Sequence, residues 1–276
     1  MMEPQGTRSA PPEAESPGRG APHVTAPKPE ERGAGTSPAS RRTATGSANA
    51  GDAWVAETLF GTWFINTNIW VKYVLQRSLD DLIRLAGDRL PQSPRVLDLG
   101  CGRGKAAPLL LRSLGAREVV GIDVDEEQIE TARNEAMPNR AVRFETAPAT
   151  SLPIADESMD VVFCHQCLHH FVDQEAALAE IRRILRPGGV LLMSESCRSF
   201  IFTRRIRYLF RHPMDVQKTA EEYVDLLRAA GFSVSPESQA ASFVWWSRRD
   251  MGLFERLGLR PSATRETLLN VAAVRT

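Results

Sequence analysis

The chain has 276 residues, with 34 basic and 34 acidic side chains and no formal net charge. Its length suits one large domain or two small ones and is ample for a buried core, and its neutrality argues against an obligatory nucleic-acid partner. Four cysteines do not make a disulfide scaffold and fit a reducing, cytoplasmic setting; no run of about 18 apolar residues is present to span a bilayer.

Residues 1–53 contain no Leu, Ile, Phe, Trp or Tyr but are rich in Pro, Gly and Ala. Such a segment cannot bury enough apolar surface to offset an ordering entropy of roughly 1–2 kcal/mol per residue, so it is expected to be a disordered tail. Glu3, Glu13, Glu15, Glu30 and Glu31 count against a transit peptide, and there is no apolar core for a secretion signal. At Trp54 the composition turns over. Trp54, Phe60, Trp63, Phe64, Trp70 and Tyr73 follow within 20 residues, and Val71, Val74, Leu75, Leu79, Leu82 and Ile83 recur at helical spacing over Asn68–Ala86. Residues 54–93 therefore read as a helical region, either packed on the body of the protein or serving as a lid over a pocket.

After Pro94 strands and helices alternate. Strands are expected at Arg95–Leu99, Glu118–Ile122, Val142–Phe144, Met159–His165 and Val190–Ser194. Helices are expected at Ala106–Leu114, Glu126–Ala136, Gln174–Leu185 and Ala220–Ala230, the third stopped by Arg186-Pro187-Gly188-Gly189. Two β-rich stretches, Phe232–Trp246 and Thr267–Val274, close the chain. This alternation implies an α/β domain over 94–276, with a mostly parallel sheet covered on both faces.

The most informative segment is Val96-Leu97-Asp98-Leu99-Gly100-Cys101-Gly102-Arg103-Gly104. A strand runs into alternate glycines and then a helix, where the backbone must turn tightly and admit a ligand at close range. Asp123 ends the next strand, 19 residues after Gly104, and can accept both hydroxyls of a ribose; its alternative role is a helix N-cap. The spacing G-x-G-x-G differs from the dinucleotide pattern and suits a nucleoside without a pyrophosphate.

VLDLGCGRG, VVGIDVD, SMDVVFCHQCLHHF and ILRPGGVLLMSE, in that order, resemble a class I S-adenosylmethionine-dependent methyltransferase of the small-molecule group that includes the quinone-biosynthesis enzymes. The resemblance covers about residues 94–196. It implies a Rossmann-like, doubly wound sheet with an antiparallel C-terminal strand, and S-adenosylmethionine as cofactor. By resemblance Asp98 orients the loop and the amino-acid end of the cofactor. Gly100, Cys101, Gly102 and Gly104 form the loop against it, Asp123 takes the ribose hydroxyls and Val124 touches the adenine. His165 sits near the methionine carboxylate or sulfonium. One place departs from the family: the acid that usually precedes the Leu-Pro turn falls near Pro148, so adenine recognition passes to backbone near Ala149 and Thr150, or to Glu145.

Cys164-His165-Gln166-Cys167-Leu168-His169-His170 concentrates potential metal ligands. Cys164 and Cys167 differ by an odd number along a strand and should point to opposite faces, and no second C-x-x-C exists, so no metal is expected. His165 and His169 are the candidate catalytic imidazoles. Methyl transfer by in-line displacement needs mainly positioning, and a base only where the nucleophile must lose a proton.

Within the insert 197–217, Arg198–Arg211 is expected to form a helix with Phe202, Ile206, Leu209 and Phe210 on one face and Arg204, Arg207 and Arg211 on another. A lid, a solvated basic face and a membrane-surface contact compete as readings of it. Together these features point to methyl transfer onto a small aromatic or lipophilic acceptor. The alternatives are a protein side chain as acceptor and a cofactor-binding module without catalysis. The oligomeric state is not legible.

Overall fold

The computed structural model describes residue 55 and residues 57–135, 140–242, 257 and 266–276. The expected tail over 1–53, Trp54, and the Phe243–Trp246 end of the first C-terminal β-rich stretch lie outside the described residues.

The helices before the sheet are α1 (Leu59–Ile65), α2 (Asn68–Trp70) and α3 (Gln76–Ala86). Thr58 and Thr67 cap α1 and α2, each side-chain oxygen accepting a backbone N–H in the first turn. The single helix expected over Asn68–Ala86 is interrupted at Val71–Leu75, which is π-helical. The wider turn carries one extra residue, so Trp70 lies on one side of a phase shift while α3 keeps its own regular stripe of Leu79, Leu82 and Ala86 buried. Gly87, at φ +54°, ends α3.

The strands are β1 (Arg95–Leu99), β2 (Glu118–Asp123), β3 (Val142–Thr146), β4 (Met159–His165), β5 (Leu185–Ser196), β6 (Phe232–Ser233), β7 (Gln239–Ser242) and β8 (Leu268–Arg275). They form one sheet in the order β3-β2-β1-β4-β5-β8-β6, with β7 also pairing β8. The first five are parallel, and β8 runs antiparallel to β5. The remaining helices are α4 (Ala107–Ser113), α5 (Glu126–Glu135), α6 (Gln174–Ile184), α7 (Arg198–Ile201), α8 (Arg204–Leu209) and α9 (Ala220–Ala229).

Side-chain alternation along the strands divides the core into two layers. Val96, Val119, Val161, Phe163 and Leu192 pack with Leu79 and Leu82 of α3, Leu110 of α4 and Ile129 of α5. Their neighbours Leu97, Val120, Val162, Cys164 and Leu191 pack with Leu178 and Ile181 of α6 and Tyr223 and Leu227 of α9 on the other face. Burial on both faces is why β1 and β4 read as near-continuous apolar runs. Strand order reverses beside β1, which opens a crevice at the carboxyl ends of β1 and β4.

Two expectations are corrected. β5 begins at Leu185 rather than Val190, because Leu185 pairs with Met159 across an irregularity before the Val161–Val190 pair; the Pro-Gly-Gly segment stops α6 and is itself the start of the strand. The helix expected over Arg198–Arg211 is broken into α7 and α8, with Thr203 extended between them. The single amphipathic face dissolves: Ile206 is buried against Phe200 and Ile201, while Phe202 is exposed. Among the described residues, no helix is long and apolar enough to cross a membrane.

Candidate active site

A cavity of about 1000 Å³ lies over the carboxyl ends of the parallel strands. Its floor is the β1–α4 loop, and the sequence explains the shape of that loop. Gly100, Gly102 and Gly104 all have positive φ. A Cβ on Gly100 would lie 2.5 Å from Cβ of Cys167, whereas one on Gly102 would meet no protein atom within 4 Å. The first glycine is thus demanded by packing beneath the loop, and the second presents bare backbone to the cavity. Gly104 is not among the residues lining the cavity: its missing Cβ makes room for the Phe144 ring, 2.5 Å from where that atom would stand.

The loop is pinned to β2. The N–H groups of Gly100 and Cys101 both donate to the Ile122 carbonyl, at 2.8 and 3.1 Å. Asp123 accepts from Gly102 N–H at 2.8 Å and from Asp125 N–H at 3.0 Å. Each carboxylate oxygen keeps a further lone pair for a ribose hydroxyl. Burial pushes the Asp123 carboxyl above its ordinary range, against the pull of those backbone N–H donors. Asp98, 3% exposed, is pushed up to about 7, first by burial and then by the neighbouring Asp123 charge. Its Oδ2 is buried without a hydrogen-bond partner among the described residues.

Val124, Ala149 and His165 also line the cavity, with Pro148 and Thr150 beside Ala149. Glu145 does not; it pairs with Arg143 at 2.8 Å. His165 lies between Phe163, stacked at 5.8 Å, and Trp70, edge-on at 6.1 Å. Its Nε2 has no partner, and burial lowers its pKa to about 4. At neutral pH it is therefore an uncharged hydrogen-bonding group with little affinity for a proton.

Residue 169 has a different setting. His169 Nδ1 lies 2.5 Å from Glu195 Oε2. Glu195, fully buried on β5, also accepts from the N–H groups of Cys167 and Leu168, at 3.0 and 2.8 Å. In the tautomer with the ring proton on Nδ1, that proton is donated to Glu195 and Nε2 keeps its lone pair. Sequence reasoning missed Glu195. The available signal was a carboxylate inside the otherwise apolar strand Leu191-Leu192-Met193-Ser194-Glu195, where a lone charge must have partners.

Cys164 and Cys167 are corrected too. Gln166, at φ +55°, turns the chain back after β4, so the two sulfurs meet at 3.1 Å instead of facing apart. All four cysteines are free thiols. Among the described residues, two groups of side chains have metal-ligand spacing, Cys164 with Cys167 and Glu195, and His169 with His170 and His212.

The roof comes from the N-terminal helices and the insert. Phe60 and Phe64 of α1 meet Phe210 edge-on at 5.9 and 6.2 Å, and Phe64 meets Trp70 at 5.4 Å. Two hydrogen bonds tie the parts together: Thr58 Oγ1 donates to the Leu209 carbonyl at 2.5 Å, and Arg211 N–H donates to Glu57 Oε1 at 2.7 Å. The result is an aromatic roof above a polar, glycine-lined floor.

A parallel sheet ordered in this way, with an acid-terminated second strand and a glycine loop at its switch point, defines a nucleoside-binding α/β enzyme of the methyltransferase type. Residues 97–193 match the family model described as a methyltransferase domain. The chain is 34% identical over 190 residues to the O-methyltransferase cnsE of Penicillium expansum, covering 65% of this chain and 66% of that protein. It is 32% identical over 185 residues to the O-methyltransferase resE of Aspergillus sclerotiorum, covering 62% and 69%. Among solved structures, a SAM dependent methyltransferase from Aquifex aeolicus superposes with a TM-score of 0.56 at 18% identity, over 78% of this chain and 97% of that one. The chain belongs to the class I S-adenosylmethionine-dependent methyltransferases.

The residues present fit S-adenosylmethionine as methyl donor. The unpartnered Oδ2 of Asp98 matches an ammonium donor, Asp123 retains acceptor capacity for the ribose, and Gly102 leaves its side of the loop open.

Proposed function

We propose that this methyltransferase acts on a hydroxyl oxygen of a lipophilic small molecule, held between the aromatic roof and the cofactor, in a cytoplasmic setting. The observation that carries the reading is the position of His169, braced by buried Glu195, on the wall of a largely apolar cavity above the glycine loop. The O-methyltransferase names of the two fungal relatives support oxygen as the atom modified. The four free thiols support a reducing compartment.

When bound, the cofactor supplies an electrophilic methyl group on a sulfonium. Asp98 holds the amino-acid end, Asp123 fixes the ribose, and Val124 and the backbone near Ala149 bound the adenine. His165, uncharged between Phe163 and Trp70, offers Nε2 as a hydrogen-bonding group toward the methionine end. His169 Nε2 accepts the acceptor's hydroxyl proton as the oxygen attacks, and Glu195 stabilises the resulting imidazolium; such a base typically contributes about 10²–10⁴-fold. Helices α1 to α3 with the insert act as a lid that excludes water. A roof this closely latched favours a small acceptor over a protein side chain.

The test is incubation with isotopically labelled methyl donor and a panel of lipophilic phenols and alcohols, read by mass spectrometry. One labelled methyl on oxygen is expected. Labelling of protein side chains instead, or cofactor binding with no product across the panel, overturns the reading.

A further inference from the structure

His169 and His170 stand on the short 3-10 turn Leu168–His170, and His212 reaches them from the loop after α8. Their ring centroids are 4.3, 5.2 and 4.9 Å apart. Three imidazoles on one tetrahedral ion, with metal–nitrogen bonds of about 2.0–2.1 Å, hold their centroids about 5 Å apart. We infer that His169, His170 and His212 form a three-nitrogen site for a divalent cation of the zinc class.

Three observations besides spacing carry this. First, His169 is backed by Glu195 at 2.5 Å, the carboxylate–histidine arrangement that fixes the tautomer of metal-ligating imidazoles and raises their basicity. Second, His212 Nδ1 is buried with no hydrogen-bond partner among the described residues, although a buried ring nitrogen ordinarily finds one. Third, the supporting shell is built: Gln217 Nε2 donates to the carbonyls of both His169 and Pro213, at 2.8 and 2.7 Å, and so ties the turn to the loop that carries His212. The candidate ligand nitrogens lie within 4.8 Å of one another, and with the centroids already at the required spacing loading needs the rings only to turn their nitrogens toward a common point. All-imidazole coordination selects zinc, copper or nickel over magnesium or calcium. The other group with metal spacing is weaker, because the Glu195 oxygens there are already taken by backbone N–H groups and His169.

The consequence of binding, though not the site itself, rests on the proton-accepting role assigned to His169. A cation on its Nε2 occupies the lone pair that would take the acceptor's proton. Zinc therefore suppresses methyl transfer without displacing the cofactor, whose expected contacts at the glycine loop and Asp123 do not include the three imidazoles.

The test titrates zinc chloride into the chelator-treated, full-length protein by calorimetry, with cobalt as a spectroscopic stand-in. One zinc per chain is expected, with affinity at least tenfold weaker in both His212→Asn and His170→Gln, each checked for its fold by circular dichroism. The cobalt form should show tetrahedral ligand-field bands and no thiolate charge-transfer band. No uptake, uptake indifferent to both substitutions, or a thiolate band pointing to Cys164 and Cys167 overturns the site. With an active acceptor, zinc should lower turnover while the heat of S-adenosylhomocysteine binding stays unchanged. Zinc that binds as expected yet leaves turnover intact confirms the site and overturns the role of His169.

Discussion

Asp98→Asn removes a carboxylate whose ionisation the fold opposes. The residue is 3% exposed, its Oδ2 has no partner, and its pKa stands at about 7 against an ordinary 3.8. Because the folded value is the higher one, the stabilising contribution is complete below the unfolded pKa and is lost as pH rises through about 7. At about 1.4 kcal/mol per pKa unit the full loss is on the order of 4 kcal/mol, of which about 3 falls between pH 5 and pH 8. Asn has no charge to bury. Cofactor-free Asp98→Asn should therefore resist urea better than wild type at pH 8, by about 2–3 kcal/mol, with most of the difference gone at pH 5. Cofactor binding should respond in the opposite direction. The ammonium requires the ionised carboxylate, so wild-type affinity falls about tenfold per pH unit below 7, while Asp98→Asn binds weakly at every pH. Calorimetry and urea unfolding across pH 5–8 check both halves. Parallel stability profiles for the two proteins, or a pH slope of binding that survives in Asp98→Asn, would refute the reasoning.

Glu195→Gln removes the carboxylate behind His169; kcat should drop by about 10²–10³-fold with S-adenosylhomocysteine affinity unchanged, measured by single-turnover labelling and calorimetry. The two loop glycines should respond differently to alanine. Gly100→Ala places a Cβ 2.5 Å from Cys167 and should lower stability by about 2–4 kcal/mol. Gly102→Ala, with open space around the added methyl, should cost only about 1–2 kcal/mol of stability yet weaken cofactor binding more than tenfold; thermal melts and calorimetry separate the two. Phe210→Ala deletes the ring that meets Phe60 and Phe64, so the acceptor KM should rise about tenfold with cofactor affinity unaltered.

The parallel half of the sheet was legible because strands buried on both faces are near-continuously apolar. Arg95–Leu99 and Met159–His165 could therefore be bounded at both ends before any contact was known, and both coincide with β1 and β4. The glycine loop was legible because its steric demand leaves a local pattern, and the place of Asp123 beside it because the residue ends an apolar strand. What escaped depends on contacts distant in sequence. Glu195 and His169 are 26 residues apart, and nothing in either neighbourhood names the other. The break between α7 and α8 was hidden because the apolar spacing over Arg198–Arg211 satisfies one helix as well as two. The meeting of Cys164 with Cys167 required knowing that Gln166 adopts a left-handed conformation, which strand periodicity does not encode. At Gly104 the motif glycine also serves packing, its missing Cβ making room for Phe144.

Binding of S-adenosylhomocysteine, followed by isothermal calorimetry on wild type and Asp123→Ala, bears most directly on the cradle formed by the glycine loop and the β2 carboxylate. One saturable site per chain is predicted for wild type, with the heat abolished or the affinity cut more than tenfold in a folded Asp123→Ala. No heat from wild type, or identical isotherms for the two proteins, would contradict the account.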